Sequence, residues 1–158
     1  MTLYEELTSD RHLILYTDGS CVKNGTDEAR ASYGVYISEN SPNNESGLLP
    51  VGYRQSNNSA EIYAAARGLI IAKQLNYTAV EIRTDSEFLI NCINNRLPFW
   101  LTNNWQTAGK KNVRNRSELE YFLKCSKGLQ VRFKHIKGHS GVEGNEMADT
   151  LARMAGLR

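Results

Sequence analysis

The sequence predicts an α/β protein built on a mixed five-stranded sheet, its first three strands antiparallel and its later strands parallel to the first, with helices on both faces. Two features carry this reading. Three short apolar segments come first, at hairpin spacing and separated by polar stretches, as antiparallel neighbours require. Segments of helical period then alternate with further strands, and a strand followed by a helical crossover returns parallel to its starting direction.

The run His12 to Thr17 (HLILYT) is almost wholly apolar and stops at Asp18-Gly19, which predicts a buried central strand ended by a turn, with Asp18 at its C-terminal end. Ser32 to Ser38 (SYGVYIS) is a second strand, and Gly47 to Arg54 a weaker third, pushed to an edge by Pro50. Asn57 to Gln74 is rich in Ala, Leu and Ile, with Ala60, Ala64, Ile71 and Leu75 near one face, and predicts a long helix that packs closely on a sheet. Ala79 to Thr84 (AVEIRT) is the next strand, so Asp85 also stands at a strand end, where Asp85-Ser86 can cap a helix through Phe88 to Asn94. Pro98 to Lys111 mixes Phe99, Trp100 and Trp105 with polar and basic residues, predicting a short helix and a projecting basic loop. Asn115 to Ser126 reads as a helix and Leu129 to Ile136 as the last strand. The glycine-rich loop Gly138 to Gly144 then leads into a helix from Glu146 to Ala155 that buries Ala148, Leu151, Ala152 and Ala155.

At 158 residues the chain is sized for one domain, expected over 1–158 with 1–11 as an N-terminal extension. It contains no apolar run of membrane-spanning length, and Met1 to Asp10 carries Glu5, Glu6 and Asp10 instead of a basic then apolar leader. An intracellular protein, cytoplasmic or nuclear and not secreted, with no membrane partner, is expected. Cys21, Cys92 and Cys125 are odd in number and lack CxxC spacing, which argues against a disulfide frame or a thiolate zinc site. The net charge of +2 hides a polarised chain: Arg96 to Lys137 holds ten Lys or Arg against only Glu118 and Glu120, leaving nine basic and fifteen acidic residues elsewhere. One surface is thereby suited to phosphates and another to cations.

Each acidic residue of interest has an ordinary reading by itself. Asp18 suits a turn before Gly19. Glu61, three residues after Asn58, suits a capping box. Asp85 suits an N-cap, and Asp149 an exposed i, i+4 pair with Arg153. Taken together they point elsewhere, because one sheet brings two strand ends and the first turn of a crossover helix to one mouth, the place where open α/β sheets gather ligands. Clustered carboxylates repel, and hard divalent cations with oxygen ligands relieve that repulsion. Two such ions, roughly 4 Å apart, activate a water and stabilise the departing oxygen of a phosphodiester.

The motifs resemble those of the type 1 ribonucleases H. Tyr16-Thr17-Asp18-Gly19-Ser20, Asn58-Ser59-Ala60-Glu61 with Tyr63-Ala64-Ala65, and Thr84-Asp85-Ser86 are similar to that family's first three active-site segments. Gly138-His139-Ser140-Gly141, followed by Gly144-Asn145-Glu146-x-Ala148-Asp149, is similar to its fourth, and the order matches from about His12 to Ala155. The resemblance implies the ribonuclease H-like fold and a monomeric endonuclease that cuts the RNA strand of RNA/DNA hybrids, leaving 5′-phosphomonoesters. It implies that Asp18, Glu61, Asp85 and Asp149 bind two Mg2+ ions, with Mn2+ able to substitute, and that Glu61 lies near an RNA 2′-hydroxyl, the group that separates RNA from DNA. His139 is implied to assist turnover and product release. Asn24, Asn57 and Asn58 match positions that reach into the minor groove, Arg54, Ser56 and Asn115 match a pocket for a DNA phosphate, and Phe88 and Trp100 match a channel for DNA sugars.

The chain departs from the family pattern at Ser59, where many members have Arg, and at Arg96 and Ala108, where an aromatic and a hydroxyl residue are common. These departures bear on affinity and processivity and leave the carboxylates untouched. Two other functions share parts of the pattern: a nuclease or strand-transferase of the same fold, of integrase or resolvase type, and a module that holds hybrids without cutting them.

Overall fold

β1 (His12–Val22) organises the sheet because it changes partner along its length. Its first half runs parallel to β4 (Ala79–Thr84), from His12 opposite Ala79 to Tyr16 opposite Arg83. Its second half runs antiparallel to β2 (Arg30–Tyr36), from Tyr16 opposite Tyr36 to Val22 opposite Arg30. β3 (Glu45–Leu48) pairs antiparallel with β2 and β5 (Gln130–His135) parallel with β4, giving the order β3-β2-β1-β4-β5. This computed structural model describes residues 12–138 and 140–157; the expected extension 1–11 and His139 lie outside the described residues.

The mixed sheet agrees with the sequence-based expectation, but the predicted turn at Asp18-Gly19 does not form. Asp18 lies opposite Gly34 and Gly19 opposite Tyr33, so the ladder to β2 keeps both residues extended. What ends before Asp18 is the pairing with β4, and the residue therefore stands beside the end of β4 while still inside β1. The third strand is also corrected. It occupies Glu45–Leu48 and stops before Pro50, which has no N–H to give to a ladder and instead accepts from the Tyr53 N–H at 3.0 Å in a turn. It is an edge strand, as expected.

α1 spans Asn57–Gln74 as predicted. It lies between the sheet, where it contacts β1, β2 and β4, and α4 (Arg116–Ser126). That position explains why Ala60, Ile62, Ala64, Ala65, Leu69 and Ala72 are all wholly buried: small side chains let two layers close on one helix. Its N-cap is Ser56, whose Oγ accepts from the Ser59 N–H at 3.1 Å, so Asn58 and Glu61 form no capping box. α5 (Glu143–Gly156) starts earlier than predicted and covers β1, β2 and β3 on the other face. Of its predicted core positions Ala148, Ala152 and Ala155 are buried, while Leu151 is half-buried.

After β4 a single helical run extends beyond the predicted Asn94: α2 (Glu87–Asn91), a π-helical turn (Cys92–Arg96) and α3 (Leu97–Thr102). The wide turn precedes Pro98, whose ring would strike the carbonyl four residues back in a regular helix, and the Leu97 N–H accordingly reaches the Cys92 carbonyl. A bridge between Gln106 and Asn112 then closes the expected basic protrusion. At its base the Trp105 N–H donates to the Trp100 carbonyl at 2.9 Å, and the Arg116 guanidinium lies 5.2 Å from the Trp105 ring centre. No helix among the described residues is long and apolar enough to cross a membrane.

α5 approaches the sheet at Gly34, where an added Cβ would lie 2.4 Å from the Ala148 carbonyl oxygen and 2.8 Å from the Ala152 nitrogen. Both obstacles are backbone, so no rotamer can relieve the clash. Gly34→Ala is expected to cost about 1–3 kcal/mol, read as a lower urea midpoint with unchanged slope; wild-type stability would show that α5 does not sit this close.

Candidate active site

Asp18, Glu61 and Asp85 come together at the mouth of the sheet, each offering a carboxylate oxygen, with all of these atoms within 4.8 Å of one another. Three different elements deliver them. Asp18 comes from the second half of β1, Asp85 follows the last residue of β4, and Glu61 comes from the second turn of α1. Close packing makes the third approach possible: a Cβ on Gly19 would lie 2.5 Å from the Glu61 nitrogen. The Gly19 N–H donates to the Glu61 carboxylate, tying helix to strand. Ser86, not Asp85, caps α2, with its Oγ accepting from the Leu89 N–H at 3.0 Å, and this leaves the Asp85 carboxylate for the cluster.

Asp149 reaches the cluster from the rim. It makes the expected ion pair with Arg153, at 2.9 Å, yet its carboxylate also bears on Asp18. The glycine-rich loop reaches the cluster too, since a Cβ on Gly138 would lie 3.0 Å from Asp85 Oδ2. His139, the next residue, is outside the described residues.

Two carboxylates elsewhere in the sheet, half-buried Glu45 and buried Glu81, show a different arrangement. Glu45 accepts from Arg67 at 2.6 and 2.9 Å and from the Tyr33 hydroxyl at 2.8 Å. Glu81 accepts from Arg83 at 2.8 Å and Arg132 at 2.9 Å. Burial works to raise both acids, but the guanidinium partners hold them below the usual carboxylate range. No Lys or Arg pairs with Asp18, Glu61 or Asp85 among the described residues. Burial, then the charge of Glu61, hydrogen bonding to Asp149 and the charge of Asp85 push the Asp18 carboxyl up to about 10. Burial and the charge of Asp85 push Glu61 up to about 7, against the lowering effect of the Ser86 hydroxyl and the Gly19 N–H. A crowded, desolvated set of oxygen donors, with no Lys or Arg paired to it among the described residues, fits hard divalent ions.

The residues expected to bind nucleic acid fall into two groups. Asn24, Arg54, Ser56, Asn58 and Asn115 line one cleft of about 430 Å³. Asn57 adjoins it, its N–H donating to Asn24 Oδ1 at 3.1 Å and tying the loop after β1 to the start of α1. Phe88 and Trp100 are half-buried and pack against the hydrophobic core, on the helical run that carries the π-helical turn. Arg114 also lines the cleft and was not singled out from the sequence, where it is one basic residue among many. Its position immediately before Asn115 was the available signal.

The raised acids set a pH dependence in the metal-free protein. Folded Asp18 and Glu61 keep protons that the unfolded chain releases near pH 4, so their contribution to stability is most favourable below that pH and falls as pH rises through about 7 and toward about 10. Asp18→Asn removes the cost of keeping a proton that the unfolded chain would release, and is expected to raise stability in chelator by about 1–3 kcal/mol at neutral pH. The gain should shrink toward pH 4. Thermal melts in chelator across that range test this, and a gain that did not depend on pH would contradict it.

A family model described as RNase H matches residues 10–156. Ribonuclease H1 of Mus musculus is 42% identical over 141 residues, covering 89% of this chain and 49% of that protein. The chain thus spans about half the length of this mammalian relative. Ribonuclease H of Clostridium botulinum is 33% identical over 147 residues, covering 92% of this chain and 95% of its own length. The solution structure of the PFV RNase H domain is similar with a TM-score of 0.69 and 26% identity, covering 91% of this chain and 93% of the other. The matched residues include every strand and helix described above, and with them the carboxylates at the sheet's mouth: the chain belongs to the ribonuclease H family.

Proposed function

We propose that the protein is an endonuclease that hydrolyses the RNA strand of RNA/DNA hybrids, acting as a monomeric, single-domain catalytic unit inside the cell. The observation that carries this reading is the cluster of buried Asp18 and Glu61 with half-buried Asp85, unpaired with any Lys or Arg among the described residues, in a chain of the ribonuclease H family. The intracellular placement is supported by three cysteines that are all free.

Asp18, Glu61, Asp85 and, from the rim, Asp149 would hold two Mg2+ ions, or Mn2+ in their place. Ions bound there supply Lewis acidity for activating a water and stabilising the departing oxygen. The chain's own part is positioning. The Gly19 N–H and the Ser86 hydroxyl orient Glu61, whose place beside the RNA 2′-hydroxyl selects the strand that is cut. Burial of Asp18 and Glu61 keeps bulk water from screening the charges at the reacting phosphate. Hydrolysis breaks the bond from phosphorus to the 3′ oxygen, which takes up a proton, and leaves the phosphate on the 5′ end of the second fragment. His139, on the loop that reaches Asp85 through Gly138, assists departure of the product. Asn24, Asn57 and Asn58 lie where α1 begins and face the minor groove, while Phe88 and Trp100 receive DNA sugars.

The direct test offers end-labelled RNA/DNA hybrid, RNA duplex, DNA duplex and single strands to the protein, with magnesium or with chelator. Cutting should be confined to the RNA of the hybrid and lost with chelator; cutting of duplex DNA would move the reading to another nuclease of this fold, and binding without cutting to a non-cleaving module. Asp18→Asn and Asp85→Asn should each lower cleavage by on the order of 10²-fold or more while hybrid binding persists. Near-normal rates in either variant would remove that residue from the site. His139→Ala should slow multiple turnover more than the first cut, and equal slowing of both would exclude a role in product release.

A further inference from the structure

Half of the sheet face that carries α5 has no helix on it among the described residues. The Tyr16 ring lies against the start of α5, where a Cβ on Gly144 would meet Tyr16 Cε1 at 2.3 Å, so Tyr16 marks the face in question. From there α5 runs over β1, β2 and β3 and leaves β4 and β5 behind. Strand alternation and parallel register place Ile14, Glu81 and Arg132 in one row of that face, and Tyr16, Arg83 and Lys134 in the next. Ile14 is 39% exposed although β1 is the central strand, while its neighbours Leu13 and Leu15, which point to the α1 face, are buried. Arg132 and Lys134 are exposed as well.

This half-face is basic with an apolar spot. Glu81 already accepts from Arg83 and Arg132, and Lys134 has no acidic partner among the described residues. Three cations therefore stand against one acid beside the Ile14 side chain. The chain that leads into β1 has the complementary pattern: Met1 to Arg11 carries Glu5, Glu6 and Asp10 against Arg11 alone, and Leu3 and Leu7 flank the glutamate pair. The RNase H family model begins at residue 10, so this pattern precedes the part that the family shares. Its reach is sufficient. Glu6 stands six residues before His12, up to about 20 Å of extended chain, whereas Arg132 lies two strand spacings from Ile14, about 10 Å. Thr8, Ser9 and Asp10, small polar residues that favour turns, lie where the chain would have to reverse.

We propose that the segment Met1 to Arg11 folds back over this half of the sheet, with Glu5 and Glu6 meeting Lys134 and Arg132, and Leu7 covering Ile14. Exposed ion pairs are weak and screened by salt. Tethering offsets that weakness, because a contact made within one chain works at an effective concentration on the order of millimolar. The same tether favours this segment over a free acidic ligand. The contact does not depend on the chemistry at the mouth of the sheet.

The test places a nitroxide on Thr2→Cys in the full chain with Cys21→Ser, the other two cysteines being buried, and reads paramagnetic broadening by NMR. Broadening should fall on the Ile14 methyls and on the Arg132 and Lys134 amides. It should fade in 1 M salt, where screening acts within about 3 Å, and be lost in Glu5→Lys/Glu6→Lys. Lys134→Glu alone should also lose it, and adding Glu5→Lys/Glu6→Lys to that variant should restore it; Lys134 is exposed, so the fold tolerates the change. Broadening indifferent to salt and to charge reversal would reflect mere nearness to His12 and overturns the proposal. Broadening at Lys110 and Lys111 instead would assign the segment to the basic protrusion. Signals that appear only on unlabelled chains mixed with labelled ones would assign it to a second copy, and either result overturns the contact within one chain.

Discussion

The exchange of partners along β1 is the constraint from which the rest of the site follows. A strand that is parallel to β4 up to Tyr16 and antiparallel to β2 from the same residue onward projects past the end of one neighbour while the other still holds it straight. Asp18 occupies that overhang. β4 ends at Thr84, and its continuation brings Asp85 alongside. Gly19 then lets α1 come close enough for its backbone N–H to hold the Glu61 carboxylate. Without the overhang Asp18 would lie between two ladders, and without the glycine the helix would stand too far off to complete the cluster.

The cluster is costly to the fold. At Glu45 and Glu81 the protein answers a carboxylate with arginine, twice over in the case of Glu81, and at buried Glu118 with the Ser59 hydroxyl and the Asn115 amide. At the mouth Asp18 and Glu61 lie desolvated beside Asp85 with, among the described residues, only hydrogen-bond donors near Glu61. An arrangement that opposes folding at neutral pH and suits a divalent cation is the mark of a site kept for binding, since packing alone would favour neutral residues there.

α1 joins the two halves of the proposed function. Its first residues border the cleft lined by Arg54, and Glu61 stands one turn further along, roughly 5 Å by helical rise. A strand seated at that cleft would thus be held in fixed register with the carboxylates by a helix buried on two sides. Ser59, where many family members carry arginine, lies at the base of that cleft: here a small hydroxyl bonds Ser56, Asn115 and Glu118.

Much of this was legible in the chain itself. Hydrophobic periodicity fitted α1 and β4 end to end, because burial on a sheet imposes its pattern residue by residue, but set the short edge strand β3 too late, at Gly47 to Arg54 instead of Glu45–Leu48. The motifs around Asp18, Glu61, Asp85 and Asp149 identified the carboxylates, since chemistry that needs charge at a sheet's mouth leaves the same residue types beside strand ends. What only the tertiary structure decided were features set by partners distant in sequence. Asp18-Gly19 reads locally as a turn, yet β2 supplies the ladder that keeps it extended. Nothing local in the sequence joins Asn115 to Ser59, 56 residues away, yet the Asn115 amide donates to Ser59 as well as to Glu118. Local sequence determines what a segment can form and which groups it carries; whether a strand continues, or what a side-chain amide bonds, depends on hydrogen-bond partners that only folding brings within reach.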